Sequence, residues 1–317
     1  MKAIMYHYVR PDATEPPHYY YLDLDDFRRQ LDRFEREYGF VSREAFLAAC
    51  RGSGDDLNAG DLDGVVLTFD DGLVDHHEWV LPELESRDLW GTFYVPTGPL
   101  VGNGILDVHR IHTLLGAYGG QRVLDELQPR VTEEMIPEGR VEEFRDETYT
   151  RQENAESTEL VKRILNYYVT DAAQSALIDD LVAELPRADV DATDFYMTGD
   201  QLAALQDAGM VVGSHSISHG VFSNMPVDRQ RREIFDSFDS LADLVGGLDV
   251  RTFCYPYGGF HTFTDETRRL LREAECEFAF NVESRDIEPD DFRESPQALP
   301  RYDCNEYPHG DASGSLG

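Results

Sequence analysis

Lysine is almost missing from this chain. Lys2 and Lys162 are its only two, and every other one of its 28 basic residues is arginine. Against these stand 62 acidic residues, giving a formal net charge of −34. Such a balance lacks the basic footprint of a nucleic-acid binder or of a protein held on anionic lipid. No apolar run approaches the ~20 residues of a membrane-spanning helix. The four cysteines, Cys50, Cys254, Cys276 and Cys304, form no C-x-x-C. That spacing excludes a zinc ribbon or redox pair and leaves free thiols as the expectation. Met1–Val9 reads as a strand followed at once by Pro11, Asp12 and Glu15, not as a charged and then apolar leader. A cytoplasmic location is expected on that reading.

What the chain does have is core-forming material. Its 317 residues are 41% hydrophobic and 11% aromatic, outside the range of disordered chains. The acidic residues run along the whole length and form no tail. Spread in this way they make a solvated surface suited to high salt, where screening removes self-repulsion. A halophilic source is therefore expected; an acidic mesophilic protein is the plainer alternative.

Strand and helix patterns alternate. Ala3–Val9 reads as a first strand, Asp23–Glu37 and Ser42–Ala49 as helices, and Arg51–Asp63 as a loop. Gly64–Phe69 and Gly91–Val95 are continuous apolar, β-branched runs of the kind buried on both faces of a parallel sheet, with a helix over His76–Arg87 between them. Val108–Leu185 differs, carrying helical patterns and almost no strand signal. Strands return at Met210–Gly213, Arg251–Tyr255 and Phe278–Val282, separated by helices at Arg229–Val245 and Thr264–Ala274. The alternation predicts a parallel α/β fold, barrel or open sheet, with its site at the C-terminal strand ends. One domain over residues 1–309, a mostly helical insertion at about 105–197 and a flexible tail at 310–317 are expected.

Three constellations follow predicted strands. Thr68-Phe69-Asp70-Asp71-Gly72 places two carboxylates side by side, an arrangement that a divalent cation would relieve. Neighbouring side chains point different ways, so one carboxylate can bind metal while the other handles a proton; a plain Asx turn is the alternative. In Gly213-Ser214-His215-Ser216-Ile217-Ser218-His219 the two histidines are four apart and can chelate one ion. Two imidazoles and a carboxylate leave coordination positions open, which suits a catalytic ion better than a closed structural one. Phe253-Cys254-Tyr255-Pro256-Tyr257-Gly258-Gly259 makes a tight turn able to aim a backbone N–H at a developing oxyanion. A fourth segment, Leu106–His112, holds His109 and His112 three apart, a pattern commoner on helix surfaces than in sites.

Taken in order, TFDDG, H-x-x-x-H and YPYG resemble the motifs of the polysaccharide deacetylases, the NodB-like carbohydrate esterases. The opening Tyr6-His7-Tyr8-Val9 is also similar to the start of members acting in surface-glycan pathways. The resemblance covers about residues 3–100 and 200–303. It implies a deformed (β/α) barrel and removal of an N-acetyl group from an amino sugar in a glycan, glycolipid or nucleotide-linked sugar. It implies Asp71, His215 and His219 as ligands of a divalent metal, zinc foremost, with cobalt, nickel, manganese or iron also fitting. Asp70 becomes the general base and the Tyr257 N–H an oxyanion donor.

Two departures stand out. Cys254 occupies the place where many members carry an arginine that orients the base; Arg301, in Leu299-Pro300-Arg301-Tyr302-Asp303, is the candidate replacement. No Leu-x-His follows residue 282 to supply a general acid. His7, His76, His77 and His309 are the candidates, with Asp303 to orient whichever serves. A carbohydrate substrate is expected, without nucleic acid or a membrane span. A different metal-dependent amide or ester hydrolase acting on a small molecule is the alternative, as is a non-catalytic carbohydrate-binding relative.

The acidic surface carries its own test. Unfolding midpoints should rise from low to molar salt; equal stability in both contradicts a salt-adapted surface.

Overall fold

A computed structural model of the chain describes residues 1–11, 20–52, 59–102, 104–145, 148, 155–186, 192 and 195–311. The chain divides into two units: residues 1–12, 21–102 and 193–312 form the first, and 13–20, 103–192 and 313–317 the second.

The first unit is built on seven parallel strands: β1 (Lys2–Tyr6), β4 (Val65–Phe69), β5 (Gly91–Val95), β6 (Val211–Ser214), β7 (Thr252–Cys254), β8 (Phe278–Phe280) and β9 (Tyr302–Asp303). Their order is β8-β7-β6-β5-β4-β1-β9. Two short strands, β2 (Val9–Arg10) and β3 (Leu22–Asp23), pair apart from this sheet. The sheet curls back on itself through one segment. Leu299 bridges Phe280 of β8, and β9, three residues on, pairs with β1. Residues 299–303 are thus the closing stave of a deformed (β/α) barrel, and Arg301 lies on that stave.

Side-chain alternation sorts the strands' residues between two layers. Val65, Leu67, Phe69, Phe93, Val95 and Val212 face outward and pack with helices α1 (Leu24–Glu37), α3 (Leu81–Ser86) and α9 (Gly199–Asp207). The α1 helix shows why the local sequence complies. Asp23 caps it by accepting from the Asp25 N–H, and Leu24, Phe27, Leu31 and Phe34 recur on one buried face. Phe253 and Ala279 pack outward against α10 (Val227–Val245) and α11 (Asp265–Glu273). The inward set is Val66, Tyr94, Val211, Cys254, Phe278, Phe280 and Leu299, joined by Phe46 of α2 (Arg43–Cys50). By the same parity Asp70 and His215 continue the inward rows just past the C-terminal ends of β4 and β6, and Arg301, just before β9, shares the inward parity of Leu299.

The second unit is helical: α4 (Asp107–Tyr118), α5 (Gly120–Leu127), α6 (Arg140–Arg145), α7 (Glu156–Arg163) and α8 (Asp171–Glu184). Its buried side chains include Ile111, Leu114, Val123, Val161, Leu177 and Leu181. Gly120 lets α5 meet α7 closely; a Cβ there would stand 2.6 Å from the Thr158 nitrogen. Arg110 and Asp107 tie α4 to α8 through Asp179 and Ser175.

Several expectations need correction. The strand expected over Ala3–Val9 breaks at His7-Tyr8, because Val9–Arg10 leaves the main sheet to pair with Leu22–Asp23. The helix expected over His76–Arg87 opens as a wide π-type turn at His76–Val80 before α3. The strand β9 and the short helix α12 (Pro289–Glu294) were not foreseen. Parts of the Arg51–Asp63 loop, of the 105–197 insertion and of the 310–317 tail lie outside the described residues.

The YPYG turn depends on one glycine. Gly258 has φ +78°, and a Cβ there would lie 2.2 Å from Val282 Cγ2. Gly258→Ala should cost about 1–3 kcal/mol in denaturant unfolding; an unchanged midpoint contradicts this packing.

Candidate active site

Strand β4 ends at Phe69, and the Asp70 N–H still donates to the Tyr6 carbonyl at 2.9 Å. Asp70 therefore keeps sheet geometry and points inward. Asp71 does not: its φ is +78° and that of Gly72 is +63°. Asp tolerates this left-handed region better than most residues. The turn separates two carboxylates that are adjacent in sequence, and both are buried.

Asp70 meets Arg301. Nη1 donates to Oδ1 and Nη2 to Oδ2, both at 2.8 Å. The remaining guanidinium donors reach Thr68 Oγ1 at 3.0 Å, Cys254 Sγ at 2.9 Å and the Asn281 carbonyl at 3.3 Å. Only 1% of Arg301 is exposed, so this is an enclosed, fully bonded ion pair. Burial pushes the Asp70 carboxyl up, but Arg301 and His215 outweigh it and bring it down to about 2. Burial likewise disfavours the arginine's charge, and Asp70 restores it. Cys254 stands beside both, its thiol donating to Asp70 Oδ2 at 3.5 Å. Burial holds that thiol well above its ordinary range. A small neutral side chain on β7 leaves room for a guanidinium arriving from the closing stave.

Asp71 meets the histidines. His215 Nδ1 donates to the Cys254 carbonyl at 2.8 Å, a bond that requires the proton on Nδ1 and leaves the Nε2 lone pair toward Asp71. His215 Nε2 stands 3.6 Å and His219 Nε2 3.4 Å from Asp71 Oδ1. These separations are long for hydrogen bonds. They match the roughly 3.4 Å between ligand atoms that metal bonds of ~2.1 Å produce at tetrahedral angles. Burial lowers the His215 pKa, which favours the neutral, metal-binding form. Two imidazoles and a carboxylate thus fit a first-row divalent ion. Asp70, His215 and Cys254 form a second cluster of possible ligands among the described residues. Arg301 already supplies a cation there, so the Asp71 cluster is the better metal position.

The histidine loop is held in an unfavourable backbone shape. Ser216 has φ +67° and His219 φ +55°, each costing roughly 1–2 kcal/mol relative to the right-handed region. Hydroxyls offset part of this: the Ser216 N–H donates to Ser214 Oγ at 3.1 Å and the His219 N–H to Ser216 Oγ at 3.0 Å. The His219 ring lies edge-on to Tyr257, centroids 4.9 Å apart. Tyr257 itself has φ +62°, which sets the turn after Pro256 against the His219 ring.

The histidines proposed for the acid role separate clearly. His76 is buried between Phe69 and Phe93 in the outward layer, and its Nε2 donates to the His7 carbonyl at 2.8 Å. Burial takes its pKa down to about 4. His77 faces Gln201 of α9 at 3.3 Å, and His309 lies near Asp26 at 3.7 Å, well exposed. His7 follows β1, and its positive charge would lower the pKa of both Asp70 and Asp303. Burial raises the Asp303 carboxyl, and Asp303 also caps the next turn by accepting from the Asn305 N–H at 3.1 Å. His109 and His112 belong to α4 of the helical unit, and neither joins a metal-type cluster among the described residues.

Glu233 on α10 and Thr68 were not singled out by the sequence. Thr68 sits inside a named motif, where its parity with Asp70 was the available signal. Glu233 sits in an Arg- and Asp-rich helix that reads as a solvated face.

Residues 166–279 match the family model described as polysaccharide deacetylase, a stretch that includes the H-x-x-x-H and YPYG motifs. No curated protein matches the chain. Among solved structures, the chain is similar to the Streptococcus pyogenes deacetylase PplD in complex with acetate. The TM-score is 0.58 at 17% identity, over 98% of this chain and 95% of that one. It is also similar to IcaB from Ammonifex degensii, with TM-score 0.54 and 18% identity over 95% of this chain and 89% of the other. The BpsB deacetylase domain from Bordetella bronchiseptica gives 0.53 and 14%, over 96% and 95%. At these identities the structural likeness speaks for the fold. That fold is the deformed (β/α) barrel of the deacetylases, and the family match over residues 166–279 agrees with it.

Arg301→Met leaves Asp70 buried without its cation. A carboxyl held down at about 2 contributes stability above its unfolded pKa and loses it as pH falls through about 2. The variant should therefore lose about 3–5 kcal/mol at pH 7 in urea unfolding. A wild-type midpoint contradicts the pair.

Proposed function

We propose that this protein is a metal-dependent N-deacetylase, releasing acetate from an amino sugar in a glycan, glycolipid or nucleotide-linked sugar. The observation that carries the reading is the division of Asp70 and Asp71, one held ionised by Arg301 and the other facing two imidazole nitrogens. A divalent ion held by Asp71, His215 and His219, zinc foremost, supplies Lewis acidity that acidifies water and polarises an acyl carbonyl. Asp70 accepts the proton of the attacking water, and Arg301 fixes the carboxylate's orientation for that transfer. The Tyr257 N–H steadies the charge that develops on the acyl oxygen. His7 donates the proton that lets the amine leave, with Asp303 to orient it. A streptococcal deacetylase of similar fold has been solved with acetate, which fits acetate as the product here.

The test is acetate release from N-acetylglucosamine oligomers and from nucleotide-linked N-acetylhexosamine. Activity should vanish with chelator and return with added divalent metal. Release that is indifferent to chelator, or none from any N-acetylated sugar, contradicts the proposal. His7→Gln should lower kcat by ~10²–10⁴-fold with metal content unchanged; full activity removes His7 from the acid role.

A further inference from the structure

The loop between the two metal-facing histidines is held by a carboxylate that belongs to no motif. Glu233 lies on α10, sixteen residues beyond Ile217, and is only 6% exposed. Its Oε2 accepts from the backbone N–H groups of both Ile217 and Ser218 at 2.9 Å. Its Oε1 accepts from Ser218 Oγ at 2.7 Å. Ile217 and Ser218 lie between Ser216 and His219, the two left-handed residues of the loop. A helical turn further along, Ser237 exchanges a hydrogen bond with Ser214 at 2.6 Å. Residues four apart share one helix face, so α10 grips the loop at its start and at its middle. From the opposite side, Thr97 and Gly98 donate backbone N–H groups to the Ser216 and Ile217 carbonyls at 3.0 Å.

This arrangement does more than satisfy buried donors. In an ordinary helical turn the two histidines would take right-handed angles, and the second imidazole would point elsewhere. The left-handed angle at His219 directs its Nε2 to Asp71 Oδ1, where His215 Nε2 also points. Two peptide N–H groups converging on a single oxygen set the orientation of the peptide planes between the histidines.

We infer that Glu233 is a positioning residue for the metal centre: it holds the His215–His219 loop in the one conformation in which both imidazoles face Asp71. The inference rests on the metal reading of that cluster. Groups that orient metal ligands from behind typically set affinity by 10–100-fold. Charge is not the essential feature, because a glutamine can accept both peptide N–H groups on its oxygen and offer its amide to Ser218 Oγ.

The test is Zn²⁺ affinity of the full-length apoprotein, measured by competition with a chromophoric chelator. Glu233→Ala should weaken binding about 10–100-fold, and Glu233→Gln should stay within a few-fold of wild type. Glu233→Asp, one methylene short, should resemble the alanine variant, and it carries the test if Glu233→Ala does not fold. Thermal melting of each apoprotein separates a loosened site from a lost fold. Wild-type affinity in a folded Glu233→Ala or Glu233→Asp overturns the inference while leaving the metal reading intact. Absence of Zn²⁺ binding by the wild type overturns both.

Discussion

The ion pair of Asp70 and Arg301 is the constraint on which the rest of the site depends. Both groups are enclosed, and an isolated charge there would be costly. Their bidentate contact makes each tolerable to the other. It also joins the end of β4 to the stave that closes the barrel, since Arg301 lies between the Leu299 bridge to β8 and the β9 pairing with β1. One interaction thereby ties barrel closure to the ionisation of Asp70. Cys254 belongs to the same arrangement. A longer side chain on β7 would occupy the space that the guanidinium fills.

With Asp70 committed to arginine, Asp71 is left to face the two imidazoles. The turn at Asp71-Gly72 separates neighbours that would otherwise repel, and the Cys254 carbonyl selects the His215 tautomer that offers Nε2. The β7 strand end thus serves both halves of the site, through a thiol on one side and a peptide carbonyl on the other. The left-handed backbone at Asp71, Ser216, His219 and Tyr257 is concentrated where side chains must converge. That is where local preference gives way to geometry.

Much of this was legible in the sequence, for physical reasons. Strands buried on both faces leave unbroken apolar runs, so β4, β5 and β6 could be placed within a residue or so. The chemistry-bearing residues followed those runs, as a parallel α/β fold requires. The closing stave was not legible, because β9 has two residues and no periodicity can be read from two. The break after Tyr6 was hidden because Ala3–Val9 is apolar throughout, and only the pairing with β3 interrupts it. The histidines could not be ranked without structure. His76 differs from His7 in facing the outward layer, a distinction set by the wide turn at His76–Val80. Glu233 was invisible because its role depends on a contact between elements and on no local pattern.

Two adjacent carboxylates hold separate places, Asp70 bound to arginine and Asp71 facing two imidazoles, and under the function proposed above only Asp71 binds metal. Calorimetric titration of divalent zinc into metal-free Asp70→Asn and Asp71→Asn tests it most directly. Near-wild-type stoichiometry is expected for the Asp70 variant and loss of high-affinity binding for the Asp71 variant. Equal loss in both, or loss in the Asp70 variant alone, would contradict it.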